Sequence, residues 1–316
     1  MVFTKYYFLY TQENYPPSYS YKIANFEADK VFQKRFLIPL VAKYISFCFD
    51  LSLDTSLKVL ITISTFFLIF GFSSLLNQIS SCKISIYWGF IILIPVTWNY
   101  MFLNSIYHSY DIPTLTFYCI GLSLFMQKRY WEFYMIFIIG TFNRESTCFI
   151  TISAILLLAR YNDMKKPFDL FKKNINLTTH TIIQLLVWLC ITTFVKLYFN
   201  KNPGNFYEDT FSMNIFLLNL WHGNASWPFQ NPEKFFGNPR CFLTLFAGIW
   251  ILIPISWNYI PSQFKKLLLL IPVYLVPAYL YANLMETRVY HELNVVIALS
   301  ITPLLSNYLS KFKFST

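Results

Sequence analysis

The 316-residue chain has few charged residues and little glycine. Only 13% of its residues are charged, about half the share in a soluble domain. Its eight glycines form no glycine-rich phosphate loop, so a nucleotide-binding fold of that kind is not indicated. The six cysteines are scattered singly without a CxxC pair, which argues against both a disulfide framework and a zinc site.

Apolar residues dominate the chain instead. Hydrophobic residues make up 56% and aromatic residues 21% of it, and the mean hydropathy is +0.45. Long unbroken apolar runs recur, without the two-residue alternation of membrane strands. We therefore predict an all-α, polytopic transmembrane helical bundle of about nine or ten spans. The net charge of +10 lies mostly in short loops, where it sets membrane orientation and does not indicate nucleic-acid binding.

The predicted organisation has three parts. Residues 1–56 form an extracytoplasmic segment in which 40–49 is an amphipathic helix lying along the membrane interface. Residues 57–308 contain the spans and an outer loop at 200–240, and residues 309–316 form a cytoplasmic tail. The predicted spans are approximately 57–77, 84–104, 111–127, 130–143, 146–160, 178–199, 241–260, 267–283 and 289–308. Residues 1–10 are too short to cross the membrane, and a truncated first span there would make ten.

The loops that carry most Lys and Arg are assigned to the cytoplasm. This orientation places most acids and three of the four histidines on the extracytoplasmic face. We therefore expect a polar site on that face, with the protein in the inner (plasma) membrane and its C-terminus in the cytoplasm.

Asn143, Arg144 and Glu145 lie between two apolar runs whose far ends are both basic. Basic flanks on one side of a bilayer predict a helical hairpin with its polar tip at the opposite face. Ionisable groups at membrane depth are costly and indicate a functional site. The alternative is that Arg144 and Glu145 only close the hairpin and contact lipid headgroups.

Tyr110 and Asp111 belong to a second polar turn at the outer face. Asp111 precedes Pro113, so a structural role as N-cap of the next helix would explain it. The neighbouring Tyr107 and His108, together with Tyr110 and Asp111, offer an acid, a base and sugar-stacking rings. Asp111 is therefore also a catalytic candidate.

Two loops supply further candidates. Glu27 and Asp29 precede the interfacial helix, where a carboxylate can serve as general base or metal ligand, or can simply be solvated. Arg35 can grip a phosphate or anchor that helix to headgroups. His222 lies in the outer loop beside tryptophans, which indicate either an interfacial belt or a sugar-stacking surface.

Glu286, Arg288 and Glu292 surround the start of the last span. Arg288 and Glu292 are four residues apart and would face one another on a helix. Arg144 and Arg288 at one membrane face can clamp a pyrophosphate, with the carboxylates holding them in place. The alternative is a set of structural ion pairs between helices.

Four segments together resemble a family of uncharacterised bacterial polytopic membrane proteins. They are Arg35-Phe36-Leu37-Ile38-Pro39, Tyr110-Asp111-Ile112-Pro113, Asn143-Arg144-Glu145-Ser146 and Glu286-Thr287-Arg288-Val289-Tyr290-His291-Glu292. The relatives of this family look like the C-type glycosyltransferases, which use polyprenyl-phosphate sugars. The resemblance implies an inverting transfer outside the cytoplasm, with an acid of the first outer loop as base, the region that Glu27 and Asp29 occupy. The chain departs from that pattern because it lacks a clear first span and the spaced acidic pair of metal-dependent members.

The sequence thus predicts a membrane glycosyltransferase-like protein of surface polysaccharide or glycolipid assembly. Its expected partners are a polyprenyl-phosphate sugar, a glycan or lipid acceptor and membrane lipids. No metal ligand is assigned, although a divalent metal would be compatible, and the oligomeric state is not indicated. The alternatives are a carrier or flippase for an anionic glycolipid, which would need polar residues through its spans, and a non-catalytic subunit of a membrane complex.

Overall fold

The computed structural model describes residues 2–11, 19–80, 86–102, 108–159, 174–206, 245–281 and 287–311. These residues are predominantly helical, and no strand occurs among them. The predicted outer loop at 200–240 is described as far as residue 206, and the predicted tail at 309–316 as far as residue 311.

Four helices precede the first long one: α1 (Val2–Tyr10), α2 (Ser20–Ala24), α3 (Lys30–Gln33) and α4 (Leu37–Phe49). The predicted interfacial helix corresponds to α4, which begins earlier than expected. It ends where Asp50 adopts a left-handed backbone with φ of 49°. On its outer face Phe47 and Phe49 are 88% and 70% exposed. An apolar exposed face suits contact with lipid, and the position of α4 at the interface stays a prediction.

The remaining helices are α5 (Leu53–Ile79), α6 (Leu93–Thr97), α7 (Asp111–Met126), α8 (Tyr130–Asn143), α9 (Phe149–Leu158), α10 (Ile175–Tyr198), α11 (Leu252–Ile255), α12 (Ser262–Leu267), α13 (Leu270–Tyr281) and α14 (His291–Lys311). Short 3₁₀ turns occupy Ile86–Ile92, Glu145–Cys148, Leu245–Ile251, Trp257–Tyr259 and Thr287–Tyr290, and a π-helical turn occupies Trp98–Phe102.

Three helical segments are long and apolar enough to cross a membrane: Leu53–Ile79, Ile175–Tyr198 and Ser262–Tyr281. They support a membrane protein. Each predicted span overlaps helical segments of the described residues, but the crossing of the bilayer by the other six stays a prediction.

Two predicted span boundaries differ from the structure for identifiable reasons. Helix α5 begins at Leu53 rather than at residue 57, because the Ser52 hydroxyl accepts a hydrogen bond from the Thr55 N–H at 3.1 Å and caps the helix. The predicted span 84–104 is not one regular helix. Pro95 has no N–H to continue the preceding hydrogen-bond ladder, and α6 restarts at Leu93 between a 3₁₀ and a π-helical turn.

Helix α7 packs against α5, α8 and α14 in the core. Small residues permit the close approach of membrane helices, and Gly71 of α5 is such a position. A β-carbon there would lie 2.8 Å from the Ile120 side chain of α7. This packing fixes the start of α7, where Asp111 lies, relative to the neighbouring helix ends.

Candidate functional site

Four side chains from four segments form a buried polar group, which we call the Asp111 cluster: Tyr100, Asp111, Arg144 and His291. Tyr100 lies in the π-helical turn after α6, Asp111 begins α7, Arg144 follows α8, and His291 begins α14. Tyr100, Asp111 and His291 are fully buried, and Arg144 is 8% exposed.

The Asp111 carboxylate is the centre of this cluster. Its Oδ1 accepts a hydrogen bond from Arg144 Nη1 at 3.2 Å and lies 3.3 Å from His291 Nε2. His291 Nε2 also contacts Arg144 Nη1, and its Nδ1 is hydrogen-bonded to the Tyr100 hydroxyl. The predicted N-cap role of Asp111 is wrong, because Asp111 is the first residue of α7 and its carboxylate bonds to Arg144 instead.

The imidazole of His291 links a phenol to a carboxylate. A neutral ring can accept at Nε2 from Arg144 and donate from Nδ1 to Tyr100, whereas a charged ring can donate from Nε2 to Asp111. The arrangement therefore has the parts of an acid–base relay.

The local sequence explains why Arg144 enters this cluster. Its backbone is extended, with φ of −161° and ψ of 136°, so that α8 ends and the chain turns. The Thr147 hydroxyl donates to the Arg144 carbonyl at 2.8 Å and holds the turn. Asn143 donates to the Tyr110 carbonyl at 3.1 Å and to Thr114 Oγ1 at 2.9 Å, and its role in substrate binding stays a prediction. Asn143 thus joins the end of α8 to the start of α7.

A second layer of charged groups lies beside the cluster. Arg35 Nη1 donates to the Tyr110 hydroxyl at 3.0 Å. The guanidinium carbons of Arg35 and Arg144 lie 5.1 and 5.8 Å from the centre of the Tyr110 ring, within the range of a cation–π interaction. Two of the predicted binding residues, Arg35 and Tyr110, are therefore brought next to Arg144.

Glu145 lies among the cations of this layer. Its Oε1 is 2.6 Å from Lys34 Nζ and 3.7 Å from Arg35 Nη2. Burial lowers the pKa of Lys34 below its usual value, although the Glu145 carboxylate opposes the shift. The neighbouring charges of Arg35 and Arg144 lower the pKa of Lys34 further. Three cations are thus crowded around Glu145.

Glu292 lies at the start of α14 and is fully buried. Neither carboxylate oxygen accepts a hydrogen bond from any residue that the structure describes. The predicted pairing with Arg288 stays a prediction, because the Arg288 side chain lies outside the described residues. The backbone at Thr287–Tyr290 is a 3₁₀ turn, whereas the predicted pairing assumed an α-helix.

The predicted bases Glu27 and Asp29 lie apart from this arrangement. Glu27 is exposed, and Asp29 is partly buried beside Gly204. Within the described ranges neither carboxylate has a hydrogen bond or an ion pair to the Asp111 cluster. His222 and Glu286 fall outside the described residues. No group of three or more His, Cys, Asp or Glu side chains that could hold a metal ion occurs in the described part of the chain.

Sequence reasoning did not select Tyr100, His291 or Lys34 as site residues. Tyr100 and His291 are 191 positions apart, and nothing in the local sequence indicates that they meet. The available signal was that Lys34 and His291 lie beside the selected residues Arg35 and Glu292, whereas Tyr100 is only a polar side chain within an apolar run.

No protein-family model, curated protein or solved structure matches the chain. The function is therefore argued from the chemistry of the Asp111 cluster and its surroundings.

Proposed function

We propose that the chain is a multi-pass membrane enzyme of the C-type glycosyltransferase kind, which transfers a sugar from a polyprenyl-phosphate donor on the extracytoplasmic face. In this proposal it lies in the inner (plasma) membrane with its C-terminus in the cytoplasm, and it acts in surface polysaccharide or glycolipid assembly. The three long apolar helices support membrane insertion. The remaining spans, the orientation and the glycan or lipid acceptor belong to the proposal.

The single observation that carries the proposal is the contact of Asp111 with Arg144 and His291. Glycosyl transfer to a hydroxyl requires a base. The acceptor oxygen attacks the anomeric carbon and forms the new glycosidic bond, while its proton passes to Asp111. The bond between the anomeric carbon and the phosphate oxygen breaks, and polyprenyl phosphate leaves with the electron pair.

Asp111 is better placed for this role than Glu27 or Asp29. A catalytic base must be held in a fixed orientation, and two partners hold Asp111 at 3.2 and 3.3 Å. His291 contacts Asp111 and is hydrogen-bonded to Tyr100, so its imidazole can accept the proton from Asp111. Arg144 is a positioning residue in this scheme, since its Nη1 is already engaged by Asp111 and His291.

The charges next to the cluster suit a phosphate leaving group. In the ion pairs beside the cluster, Lys34 and Arg35 share the single carboxylate of Glu145, and Arg144 pairs with Asp111. Positive charges fixed before the reaction stabilise negative charge that develops on a leaving phosphate. Breaking the bond between the sugar and the phosphate leaves negative charge on the phosphate. Cations next to the catalytic base would stabilise that charge.

The test is a transfer assay with purified protein, a polyprenyl-phosphate sugar and an extract of cell-envelope acceptors. Asp111→Asn and His291→Gln should each lower the rate about a hundredfold or more, within the range that general acid–base groups contribute. The matched control is Glu132→Gln, which changes an exposed acid paired with Arg129 at the other end of α8. Wild-type rates in both cluster variants would contradict the assignment.

A carrier for the same lipid would give a different result. It would move the glycolipid between leaflets without breaking the bond between sugar and phosphate, so no free polyprenyl phosphate would appear. Detection of that product distinguishes the transferase from the carrier.

A further inference from the structure

A second buried contact joins the two segments that carry Tyr100 and His291. Asn99 precedes Tyr100 in the π-helical turn. Asn294 lies three residues after His291 in α14. Both asparagines are fully buried, and Asn99 Nδ2 donates to Asn294 Oδ1 at 2.9 Å. We call these two residues the asparagine pair, and it connects the same segments as the hydrogen bond between Tyr100 and His291.

Backbone groups at both ends determine how the two carboxamides are oriented. The Phe246 N–H donates to Asn99 Oδ1 at 2.9 Å, and a backbone N–H can only donate, so the oxygen of Asn99 must face it. Asn294 Nδ2 donates to the carbonyls of Tyr290 and His291, both at 3.1 Å, and a carbonyl can only accept. The nitrogen of Asn99 must then meet the oxygen of Asn294. Only this orientation of the pair satisfies all three backbone groups.

The N–H that orients the pair belongs to a turn with an unfavourable backbone. Phe246, Ala247 and Gly248 have φ of 58°, 60° and 68°, in the left-handed region that residues with a β-carbon rarely adopt. Such a backbone persists only where the surrounding structure holds it, and it is concentrated at functional sites. Here the turn packs against α6, the π-helical turn and α14. It therefore presents the Phe246 N–H to Asn99 in a fixed direction.

The asparagine pair bears on the chemistry through the imidazole of His291. An arginine can only donate, so the contact of Arg144 Nη1 with His291 Nε2 is a hydrogen bond only when Nε2 carries no proton. The ring proton then lies on Nδ1 and is donated to the Tyr100 hydroxyl. Which nitrogen of a histidine carries the proton is set by the hydrogen bond of the other. The position of Tyr100 therefore decides whether Nε2, 3.3 Å from Asp111 Oδ1, can accept a proton.

We propose that the two residues of the asparagine pair are positioning residues for His291. They hold the Tyr100 hydroxyl at His291 Nδ1, which keeps Nε2 able to take the proton from Asp111. A buried polar network whose members are all satisfied specifies one arrangement of the segments that it joins. The inference rests on the proposed function for the use that is made of this proton. A pair that only stapled the two segments together would affect stability and leave the ring proton of His291 where it is.

The experiment observes the ring nitrogens of His291 by solid-state ¹⁵N NMR of the full chain in liposomes, with its histidines labelled. The chain has four histidines, and the signals of His291 are assigned by their loss in His291→Gln. In the wild type at about pH 8, where an unperturbed imidazole is neutral, the proton should lie on Nδ1. A proton on Nε2, or on both nitrogens, would overturn the inference without any further variant.

Asn294→Leu removes one amide of the pair and keeps a side chain of similar size. The ratio of the Nδ1-protonated to the Nε2-protonated form of His291 should fall about threefold or more, as expected when a hydrogen bond to the ring is weakened. The matched control is Gln184→Leu, which removes a buried amide of α10 that accepts a hydrogen bond of 2.5 Å from the Thr151 hydroxyl. It lies outside the Asp111 cluster and should leave the His291 signals unchanged.

A double variant distinguishes positioning from stability. Asn294→Leu alone leaves the Asn99 amide without its acceptor, and the protein should unfold at a lower SDS content. Asn294→Leu combined with Asn99→Leu should regain part of that loss, because replacing both partners of a buried hydrogen bond by apolar groups costs little. The ring proton of His291 should not return to its wild-type distribution. If it returns together with the stability, the amides are not needed to position the imidazole, and the inference is overturned.

Failure of this inference is distinguishable from failure of the proposed function, because the NMR measurement needs no substrate. Changed His291 signals in Asn294→Leu support the inference, even if no transfer of sugar is detected. Unchanged signals in a folded Asn294→Leu variant overturn it, even if the protein transfers sugar. If both proposals hold, Asn294→Leu lowers kcat about tenfold to a hundredfold and leaves the KM for the donor nearly unchanged, since the pair acts on the relay.

Discussion

Replacement of Arg144 by methionine tests whether the Asp111 cluster is a buried ion pair. The variant keeps a side chain of similar length but removes the hydrogen bond of 3.2 Å to Asp111 Oδ1. Asp111 is fully buried, so its carboxylate loses its charged partner when the guanidinium is removed. Removing one partner of a buried ion pair costs about 3–5 kcal/mol, and we expect Arg144→Met to lower the free energy of unfolding by that amount.

A second substitution distinguishes the contribution of the buried charge to stability from the contribution of side-chain packing. In Arg144→Met combined with Asp111→Asn, no uncompensated carboxylate remains at the centre of the cluster. The double variant should regain about half or more of the stability lost in Arg144→Met, because the penalty for a lone buried charge exceeds that for a buried amide. The two substitutions are in contact, so their effects should be clearly non-additive.

The assay is unfolding of the purified protein in mixed micelles of increasing SDS content, followed by circular dichroism. The matched control is Lys58→Gln, which breaks the ion pair of Lys58 Nζ with Asp54 Oδ2 at 2.5 Å, whose side chains are 50% and 63% exposed. An exposed pair of this kind contributes less than about 1 kcal/mol. The reasoning is refuted if Arg144→Met destabilises the protein no more than Lys58→Gln does, or if the double variant shows simple additivity.

Two further predictions concern packing and buried hydrogen bonds. A β-carbon on Gly89 would lie 2.6 Å from the Ile69 carbonyl oxygen, whereas one on Gly121 would lie 3.1 Å from the end of an isoleucine side chain that can move. Gly89→Ala should therefore destabilise by about 1–3 kcal/mol and Gly121→Ala by less, and equal effects in the same SDS titration would contradict this. Tyr118→Phe removes the buried hydrogen bond of 2.5 Å to Ser153 and should cost about 1–3 kcal/mol, because the Ser153 hydroxyl is left buried. A double variant with Ser153→Ala should recover part of that loss, and no recovery would argue against the bond.

Helix positions were largely predictable from the sequence, because apolar runs between basic loops depend only on local composition. The exact helix ends were not predictable from the sequence, since each end depends on a single contact. The start of α5 is set by one hydrogen bond from Thr55 N–H to Ser52, and the break near α6 is set by Pro95. The sequence contains both Ser52 and Pro95, but a prediction that uses only hydropathy takes no account of them.

The candidate site was predictable only in part. Four residues were selected because they are polar and lie at one face, near the ends of predicted spans or of the interfacial helix: Arg35, Tyr110, Asp111 and Arg144. Three of them, Tyr110, Asp111 and Arg144, lie at neighbouring helix ends because α7 packs against α8. The pairing of residues across the chain was not predictable. Arg144 bonds to Asp111 and contacts His291, and the predicted pyrophosphate clamp with Arg288 stays a prediction.

Helix length explains why these polar groups converge. Helices α7 and α8 have 16 and 14 residues, which correspond to about 24 and 21 Å, less than the ~30 Å of hydrocarbon. In the proposed topology their outer ends, with Asp111 and Arg144, therefore lie below the lipid headgroups unless the bilayer thins. Lipid offers no hydrogen-bond partners at that depth, so the polar groups must satisfy one another within the protein. The same constraint accounts for the contacts of Asp111 with Arg144 and His291.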